Sequence, residues 1–194
     1  MLTGRFLGNV AGDVPLSDTY FVVGHLHMVM AGSPVLALYG GLVHWYPSVT
    51  GRMLDDRLGK IHFWITFVGT YLIYFPMHYI GFLGVPRRYY SNEQYDFIPQ
   101  SVNDLNQFIT VCALIVGAAQ FIFLYNLIVS AYRGEEAGSN PWGACTLEWQ
   151  ALESPPGHGN WGDQLPVVYR WPYDYGLPGA TADFVPQNVP DEQI

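Results

Sequence analysis

The stretch Asp18-Thr-Tyr-Phe-Val-Val-Gly-His25-Leu-His27-Met-Val-Met places two histidines two residues apart near the start of a long apolar run. In an α-helix each residue advances about 100° around the axis, so His25 and His27 would point about 200° apart. Side chains arranged in this way cannot share one small metal ion, but each can serve its own large planar cofactor. Because neutral imidazole is a standard axial ligand of heme iron, the spacing predicts one helix between two hemes. The alternative is a pair of polar histidines hydrogen-bonded inside a helix bundle.

Charged residues are scarce in this chain of 194 residues, at 12%, whereas 50% of the residues are hydrophobic and 16% aromatic. An ordinary soluble domain carries about 25% charged residues. Three segments contain no Asp, Glu, Lys or Arg: residues 22–45, 61–83 and 108–132. Each is longer than the about 20 residues that a helix needs to cross a hydrocarbon core. The pattern therefore predicts an all-α membrane protein with three transmembrane helices.

The net charge and the cysteines argue against two classes of protein. The formal net charge is −8, and the sequence has no basic cluster, so we expect no nucleic-acid partner. Cys112 and Cys145 form no Cys-x-x-Cys pair. One cysteine lies in a predicted span and the other beyond it, so we expect no disulfide framework.

The start of the chain predicts a piece of a larger membrane protein. Residues 1–12 lack the basic start and compact apolar core of a signal peptide, and their abrupt opening resembles the end of a preceding helix. Residues 12–18 are predicted to be extended, since Pro15 disfavours helix at Val14, and Ser17 or Asp18 is expected to cap the next helix. We therefore divide the chain into a preceding helix end with its lead-in (1–17), a three-helix membrane segment (18–133) and an irregular C-terminal arm rich in Pro, Gly and Trp (134–194).

Prolines inside the predicted spans, and cations between them, give further expectations. Pro34 predicts a kink in the first span, and Phe75-Pro76 predicts a break near the end of the second. The loop 48–60 carries three cations and the opposite loop carries Arg87 and Arg88. By the positive-inside rule, the first loop and the C-terminus are expected on the cytoplasmic side of a bacterial inner membrane. His25 and His27 then lie nearer the outer face.

Polar groups inside the charge-free segments are the candidates for function. Five of the six histidines fall there, and an imidazole in hydrocarbon needs a partner. His44 and His62 lie at span ends and His78 follows Pro76, so we expect structural roles for these three. The adjacent cations Arg87 and Arg88 would match heme propionates, because a guanidinium forms two hydrogen bonds with a carboxylate. The alternative for them is an ordinary positive pair at the membrane interface.

Five motifs together resemble subunit I of bacterial heme–copper cytochrome c oxidase. They are the quoted stretch through His27, Gly41-Leu-Val-His44-Trp-Tyr-Pro47, Gly59-Lys-Ile-His62-Phe, Phe75-Pro-Met-His78 and Pro86-Arg-Arg-Tyr89. The resemblance covers residues 2–149, from the end of the family's ninth helix through its tenth to twelfth helices. It implies a terminal respiratory oxidase that passes electrons from cytochrome c to oxygen and translocates protons. A quinol oxidase or nitric oxide reductase, and a non-catalytic heme-bearing or structural membrane subunit, are the alternatives.

The resemblance also implies the cofactors, two hemes of the heme A type, and a role for each matched residue. His25 would be the catalytic site's ligand to the high-spin heme iron, and His27 would be one of two ligands to the low-spin heme iron. Arg87 and Arg88 would pair with heme propionates, and Asp13 would hydrogen-bond near a propionate.

Two metals have a weaker basis in this chain. Asp18 would help to hold magnesium, but Ser17 stands where the family usually has histidine, and serine is the weaker ligand. The family's copper ligands and the second low-spin heme ligand belong upstream. The expected partners are therefore the remaining N-terminal helices of the subunit, other oxidase subunits, membrane lipid, and cytochrome c as electron donor.

Overall fold

A computed structural model describes residues 2–91, 95–150, 161, 165–174, 178–179 and 182–193. The described residues form the α-helices α1 (Thr3–Leu7), α2 (Val10–Leu16), α3 (Tyr20–Leu26), α4 (Ser33–Thr50), α5 (Asp56–Phe82) and α6 (Gln100–Arg133). A π-helical turn, His27–Gly32, joins α3 to α4, and Leu147–Trp149 and Asp191–Gln193 are single 3₁₀ turns. Extended backbone pairs only as isolated bridges within these ranges. The prediction of a helical chain is confirmed.

Two stretches among the described residues are long and apolar enough to cross a membrane. They are Tyr20–Thr50, with 31 residues, and Gln100–Arg133, with 34 residues. They contain the first and third predicted spans. All but the last residue of the second predicted span lies in α5, which has 27 residues. This helix does not reach the same apolar character, because histidines, tyrosines and threonines interrupt it. Its membrane crossing stays a prediction.

The predicted extended lead-in is wrong, because residues 10–16 form α2 with Pro15 inside the helix. Asn9 caps α2, and its side chain accepts a hydrogen bond from the Ala11 amide at 3.0 Å. Beyond the proline, the Ser17 amide donates to the Asp13 carbonyl at 2.8 Å. Pro15 therefore removes one backbone hydrogen bond without ending so short a helix, since the cap and this closing bond hold both ends.

The predicted cap of the next helix is off by one or two residues. Thr19, rather than Ser17 or Asp18, is the N-cap of α3. Its backbone is extended and its Oγ1 accepts a hydrogen bond from the Phe21 amide at 3.2 Å. Ser17 has helical backbone angles instead, because it closes α2.

Pro34 and Pro76 lie inside the long helical stretches and do not break them. A π-helical turn precedes Pro34, and the Ser33 hydroxyl donates to the Met28 carbonyl at 3.3 Å. Proline cannot supply the amide for the carbonyl one turn back, and a wider turn redistributes the bonds around that position. The break predicted at Phe75-Pro76 is wrong, because α5 continues through Pro76 to Phe82.

The chain divides into two compact units, and the first comprises Met1–Gly41 and Asp56–Asn126. Its buried core contains Ile73, Ile80, Val85, Val102, Ile109 and Cys112. Helices α3 and α5 pack closely in this unit, because a Cβ atom at Gly81 would lie 2.1 Å from the Phe21 amide nitrogen. Only glycine permits that approach, which brings α5 beside α3, the helix that contains His25 and leads into His27.

The second unit comprises Leu42–Asp55 and Leu127–Ile194. Here the Trp142 indole donates to the His44 carbonyl at 3.0 Å, and its ring stacks on the His44 imidazole with centroids 5.9 Å apart. Trp149 is buried and meets the same imidazole edge-on at 5.1 Å. The Trp45 indole donates to Glu148. These tryptophans therefore contact residues of their own unit.

Candidate heme-binding site

His27 begins the π-helical turn and is exposed. Its Nδ1 donates a hydrogen bond to the Val23 carbonyl at 2.8 Å. Its ring stacks on the Tyr74 ring, with centroids 5.2 Å apart and an interplanar angle of 27°. Because Nδ1 holds the proton in this bond, Nε2 keeps its lone pair. Metal-binding histidines commonly have this arrangement, since a hydrogen bond from one ring nitrogen fixes the tautomer of the ring and leaves the other nitrogen to bind the metal.

His25 lies half-buried in α3 and contacts the N-terminal helix α1. A hydrogen bond of 2.9 Å joins its Nδ1 to the Thr3 hydroxyl. When Nδ1 donates in this bond, Nε2 is free to act as a ligand. Gly4 lies beside that edge of the ring, where an added Cβ would come 3.3 Å from Cε1 and 3.6 Å from Nε2. A side chain at Gly4 would therefore press on this edge of the ring.

The two histidines have different neighbours. His25 contacts α1 through Thr3, whereas His27 contacts α5 through Tyr74. Both imidazoles use Nδ1 for a hydrogen bond, which leaves Nε2 of each ring available as a ligand atom for a metal. The donor chemistry and the separate surroundings therefore fit two axial heme ligands, although the helix between them changes to π geometry at His27.

Arg87 and Asp18 form an ion pair in this structure. The Arg87 Nη2 and Nε atoms lie 3.1 and 3.3 Å from Asp18 Oδ1, and the Arg87 amide donates to the Asp18 carbonyl at 2.9 Å. Arg88 is exposed and has a positive φ of 68°, a backbone conformation that costs free energy for a residue other than glycine. The two predicted propionate-binding arginines thus have different environments.

The described residues do not assemble a magnesium site. One Asp18 oxygen accepts from Arg87, and Ser17 belongs to the turn that ends α2. No three His, Cys, Asp or Glu side chains cluster for a metal ion in the part of the chain that the structure describes. Asp13, the other predicted carboxylate, lies half-buried in α2. We therefore assign no chemistry to magnesium.

The three remaining histidines of the apolar segments make contacts that agree with structural roles. His62 is buried, and its Nε2 donates to the Gln120 carbonyl oxygen at 3.0 Å, which also accepts from the Tyr39 hydroxyl at 2.6 Å. His78 is buried, and its Nδ1 donates to the Tyr74 carbonyl at 2.9 Å. His44 packs between tryptophans of the second unit.

Sequence reasoning missed the side chains that hold the two central histidines. Thr3 is 22 residues before His25, and Tyr74 is far along the chain from His27. One signal for Tyr74 was available: His62, Thr66, Thr70, Tyr74 and His78 recur every four residues in α5. Residues with that spacing line one face of a helix. A stripe of polar groups on one face predicts that this face is buried against other helices.

Sequence comparison relates the chain to proteins that are already known. Residues 1–130 match the family model described as "Cytochrome C and Quinol oxidase polypeptide I". The chain is 65% identical over 189 residues to the alternative cytochrome c oxidase subunit 1 of Bradyrhizobium diazoefficiens, which covers 97% of this chain and 32% of that protein. It is 45% identical over 176 residues to cytochrome c oxidase subunit 1 of Thermostichus vulcanus, covering 91% of this chain and 30% of that one. It is also 39% identical over 168 residues to the heme–copper oxidase subunit I+III of Aeropyrum pernix. That match covers 87% of this chain and 20% of the other protein.

The chain belongs to the cytochrome c and quinol oxidase polypeptide I family of heme–copper oxidase subunits, which are membrane-embedded helical bundles. It spans about a third of the length of the first two relatives, at 32% and 30%.

Proposed function

We propose that this chain is part of the catalytic subunit of a terminal respiratory oxidase, with His25 as ligand of the high-spin heme iron and His27 as ligand of the low-spin heme iron. The observation that carries the proposal is that both imidazoles commit Nδ1 to a hydrogen bond and contact different helices. In this assignment the whole enzyme oxidises cytochrome c, reduces oxygen to water and translocates protons. The bound hemes, expected to be of the A type, supply electron transfer and the oxygen-binding iron.

The chain's own residues orient and charge-balance these groups. Arg87 and Arg88 bind heme propionates, and Asp13 hydrogen-bonds near one of them. The exposed guanidinium of Arg88 and the fork of Arg87 beside Asp18 support this role, because planar guanidinium matches carboxylate. Asp18 then holds Arg87 in place instead of binding magnesium.

The rest of the subunit supplies what this segment lacks. In our proposal, other helices of subunit I provide the copper ligands and the second ligand of the low-spin heme. Helix α5 crosses the bilayer together with the two more apolar stretches, in a bacterial inner membrane with the C-terminus in the cytoplasm. Other oxidase subunits and lipid cover the outer surfaces.

Replacement of each histidine in the assembled oxidase tests the assignment. His25→Asn should remove the high-spin heme and His27→Asn the low-spin heme, because asparagine does not replace imidazole at iron. The measurement is the absorption spectrum of the purified complex, with a pyridine hemochrome assay and copper analysis. His44→Asn is the matched control and should keep both hemes. Retention of both hemes in both variants would refute the ligand assignment, and heme B without copper in the unmodified complex would favour a non-catalytic heme-bearing subunit.

A further inference from the structure

Each central histidine has a side-chain partner from another helix of the first unit. The Thr3 hydroxyl of α1 is 2.9 Å from His25 Nδ1. The Tyr74 ring of α5 is stacked on the His27 ring, with centroids 5.2 Å apart. Neither Thr3 nor Tyr74 belongs to the motifs on which the family resemblance rests.

We propose that Thr3 and Tyr74 are positioning residues, each of which sets the ring orientation of one heme ligand independently of the other. The proposal rests on the proposed function, since it requires that both histidines bind iron. It assigns Thr3 to the high-spin heme and Tyr74 to the low-spin heme.

Two contacts together define the orientation of the His27 ring. The bond from Nδ1 to the Val23 carbonyl, at 2.8 Å, fixes the direction of one ring edge. The Tyr74 ring, inclined by 27°, limits rotation of the imidazole plane about that edge. The plane of an axial imidazole determines how its orbitals overlap with those of iron, so loss of the Tyr74 ring should change the electronic structure of a low-spin heme.

Tyr74 acts from a fixed position, because its backbone packs directly against α3. A Cβ atom at Gly24 would lie 2.9 Å from the Tyr74 carbonyl and 2.9 Å from His78 Nδ1. His78 Nδ1 also donates to the Tyr74 carbonyl, at 2.9 Å. Gly24 lies three residues before His27, on the same side of the helix. The same contact between helices therefore holds both the Tyr74 ring and the turn that carries His27.

Thr3 affects its ligand through the hydrogen bond. A hydroxyl that accepts from Nδ1 increases electron density on the imidazole and strengthens its bond to a metal at Nε2. Thr3 is half-buried, so this bond is partly shielded from water. Gly4, next in the chain, packs beside the same edge of the ring, where an added Cβ would come 3.6 Å from Nε2.

The test uses the complete oxidase complex with four variants. Thr3→Val removes the hydroxyl at nearly constant volume, and Thr3→Ser retains it. Tyr74→Leu removes the ring, and Tyr74→Phe retains it. Electron paramagnetic resonance of the oxidised low-spin heme reports the His27 plane, and the iron–histidine stretching band in the resonance Raman spectrum of the reduced high-spin heme reports the His25 bond.

We expect a crossed result. Tyr74→Leu should shift the low-spin g values and leave the iron–histidine band in place, whereas Tyr74→Phe should match the unmodified enzyme. Thr3→Val should move the iron–histidine band to lower frequency and leave the low-spin g values in place, and Thr3→Ser should restore it. Tyr79→Leu, on an exposed position of the same helix α5, should change neither signal.

Three results would overturn the proposal: unchanged g values in Tyr74→Leu, an unchanged Raman band in Thr3→Val, or equal shifts of both hemes in either variant. If Tyr74→Leu does not assemble, Tyr74→Met removes the ring with a more adaptable side chain and carries the same expectation. The failure of the proposed function is distinguishable, because it would appear as retention of both hemes in His25→Asn and His27→Asn.

Discussion

At the scale of single residues, Gly81 sets the distance between α3 and α5. A Cβ atom there would lie 2.1 Å from the Phe21 amide nitrogen and 2.5 Å from the Phe21 Cβ. The close atoms belong mostly to backbone, which cannot rotate away as a long side chain can. The helix pair therefore tolerates no side chain at this position.

Gly81→Ala should destabilise the complex by about 1–3 kcal/mol, the usual cost of overpacking. The measurement is the midpoint of thermal loss of heme absorbance in the purified oxidase, which should fall. Gly59→Ala is the matched control, since an added Cβ there meets no atom of the described chain within 4 Å. A midpoint equal to that of the unmodified complex in Gly81→Ala would contradict the packing described for α3 and α5.

Cys145 gives a residue-scale prediction for pH. Cys112 and Cys145 are both free thiols in this structure. Burial raises the pKa of the Cys145 thiol. Because the thiolate is the reactive form, a raised pKa means less thiolate at any given pH and a slower reaction.

Alkylation of Cys145 by iodoacetamide should therefore be slower at neutral pH than that of a cysteine in a short peptide. The rate should rise with pH, with a midpoint above that of the peptide. Mass spectrometry of the labelled peptide at a series of pH values measures this. A midpoint at or below the peptide value would show that the thiol is not shielded.

At the scale of helices, Gln120 connects α4, α5 and α6 within the first unit. Its carbonyl oxygen accepts from Tyr39 and His62, at 2.6 and 3.0 Å, and its amide donates to the Thr66 hydroxyl and the Val116 carbonyl, at 3.3 and 2.7 Å. The two acceptor sites and the two donor N–H groups of the side-chain amide are thereby all used. Such bonds are strong in a low-dielectric environment.

Gln120→Leu should destabilise the helix packing by about 1–3 kcal/mol, because it leaves the polar atoms of buried His62 and half-buried Tyr39 without this partner. Thermal inactivation of the purified complex measures the effect. Gln107→Leu makes the same change at an exposed position of the same helix and should have little effect. Equal inactivation temperatures for the two variants would mean that Gln120 does not connect the helices.

The sequence predicted the positions of the long helices well and the ends of the helices less well, and it missed α2. The absence of charge located the long helical stretches, since that pattern follows directly from the cost of charge in hydrocarbon. Local proline rules were misleading at Pro15 and Pro76, because caps and packing outweighed one lost hydrogen bond. The π-helical turn before Pro34 could not be predicted, because a proline in the sequence does not by itself indicate such a turn.

At the scale of the whole molecule, the described chain leaves many large apolar side chains exposed. Examples are Leu114 at 70%, Phe121 at 72% and Trp64 at 61% exposure. A soluble monomeric protein rarely exposes so much apolar surface to water. This agrees with a chain that belongs to a membrane-embedded family, whose other helices and lipids would cover these side chains.

Only part of the candidate site could be predicted from the sequence. The spacing of His25 and His27, with the resemblance, was sufficient to select both as candidate ligands, and their roles stay a prediction. Their partners Thr3 and Tyr74 depend on how α1 and α5 pack on α3, and no local pattern fixes that arrangement. The pairing of Arg87 with Asp18 is of the same kind, since the two residues meet only when the chain returns after α5.

The π-helical turn His27–Gly32 has one more consequence. A π-helical turn holds one residue more than an α-helical turn, and the helices on its two sides keep their own packing partners. The side chains of α3 and α4 therefore do not follow one continuous repeat of 3.6 residues. A helical wheel drawn from His27 to Tyr39 at 3.6 residues per turn would misplace Tyr39 by about 100°. Shortening the turn by one residue would thus yield a plain α-helix with the same faces inward.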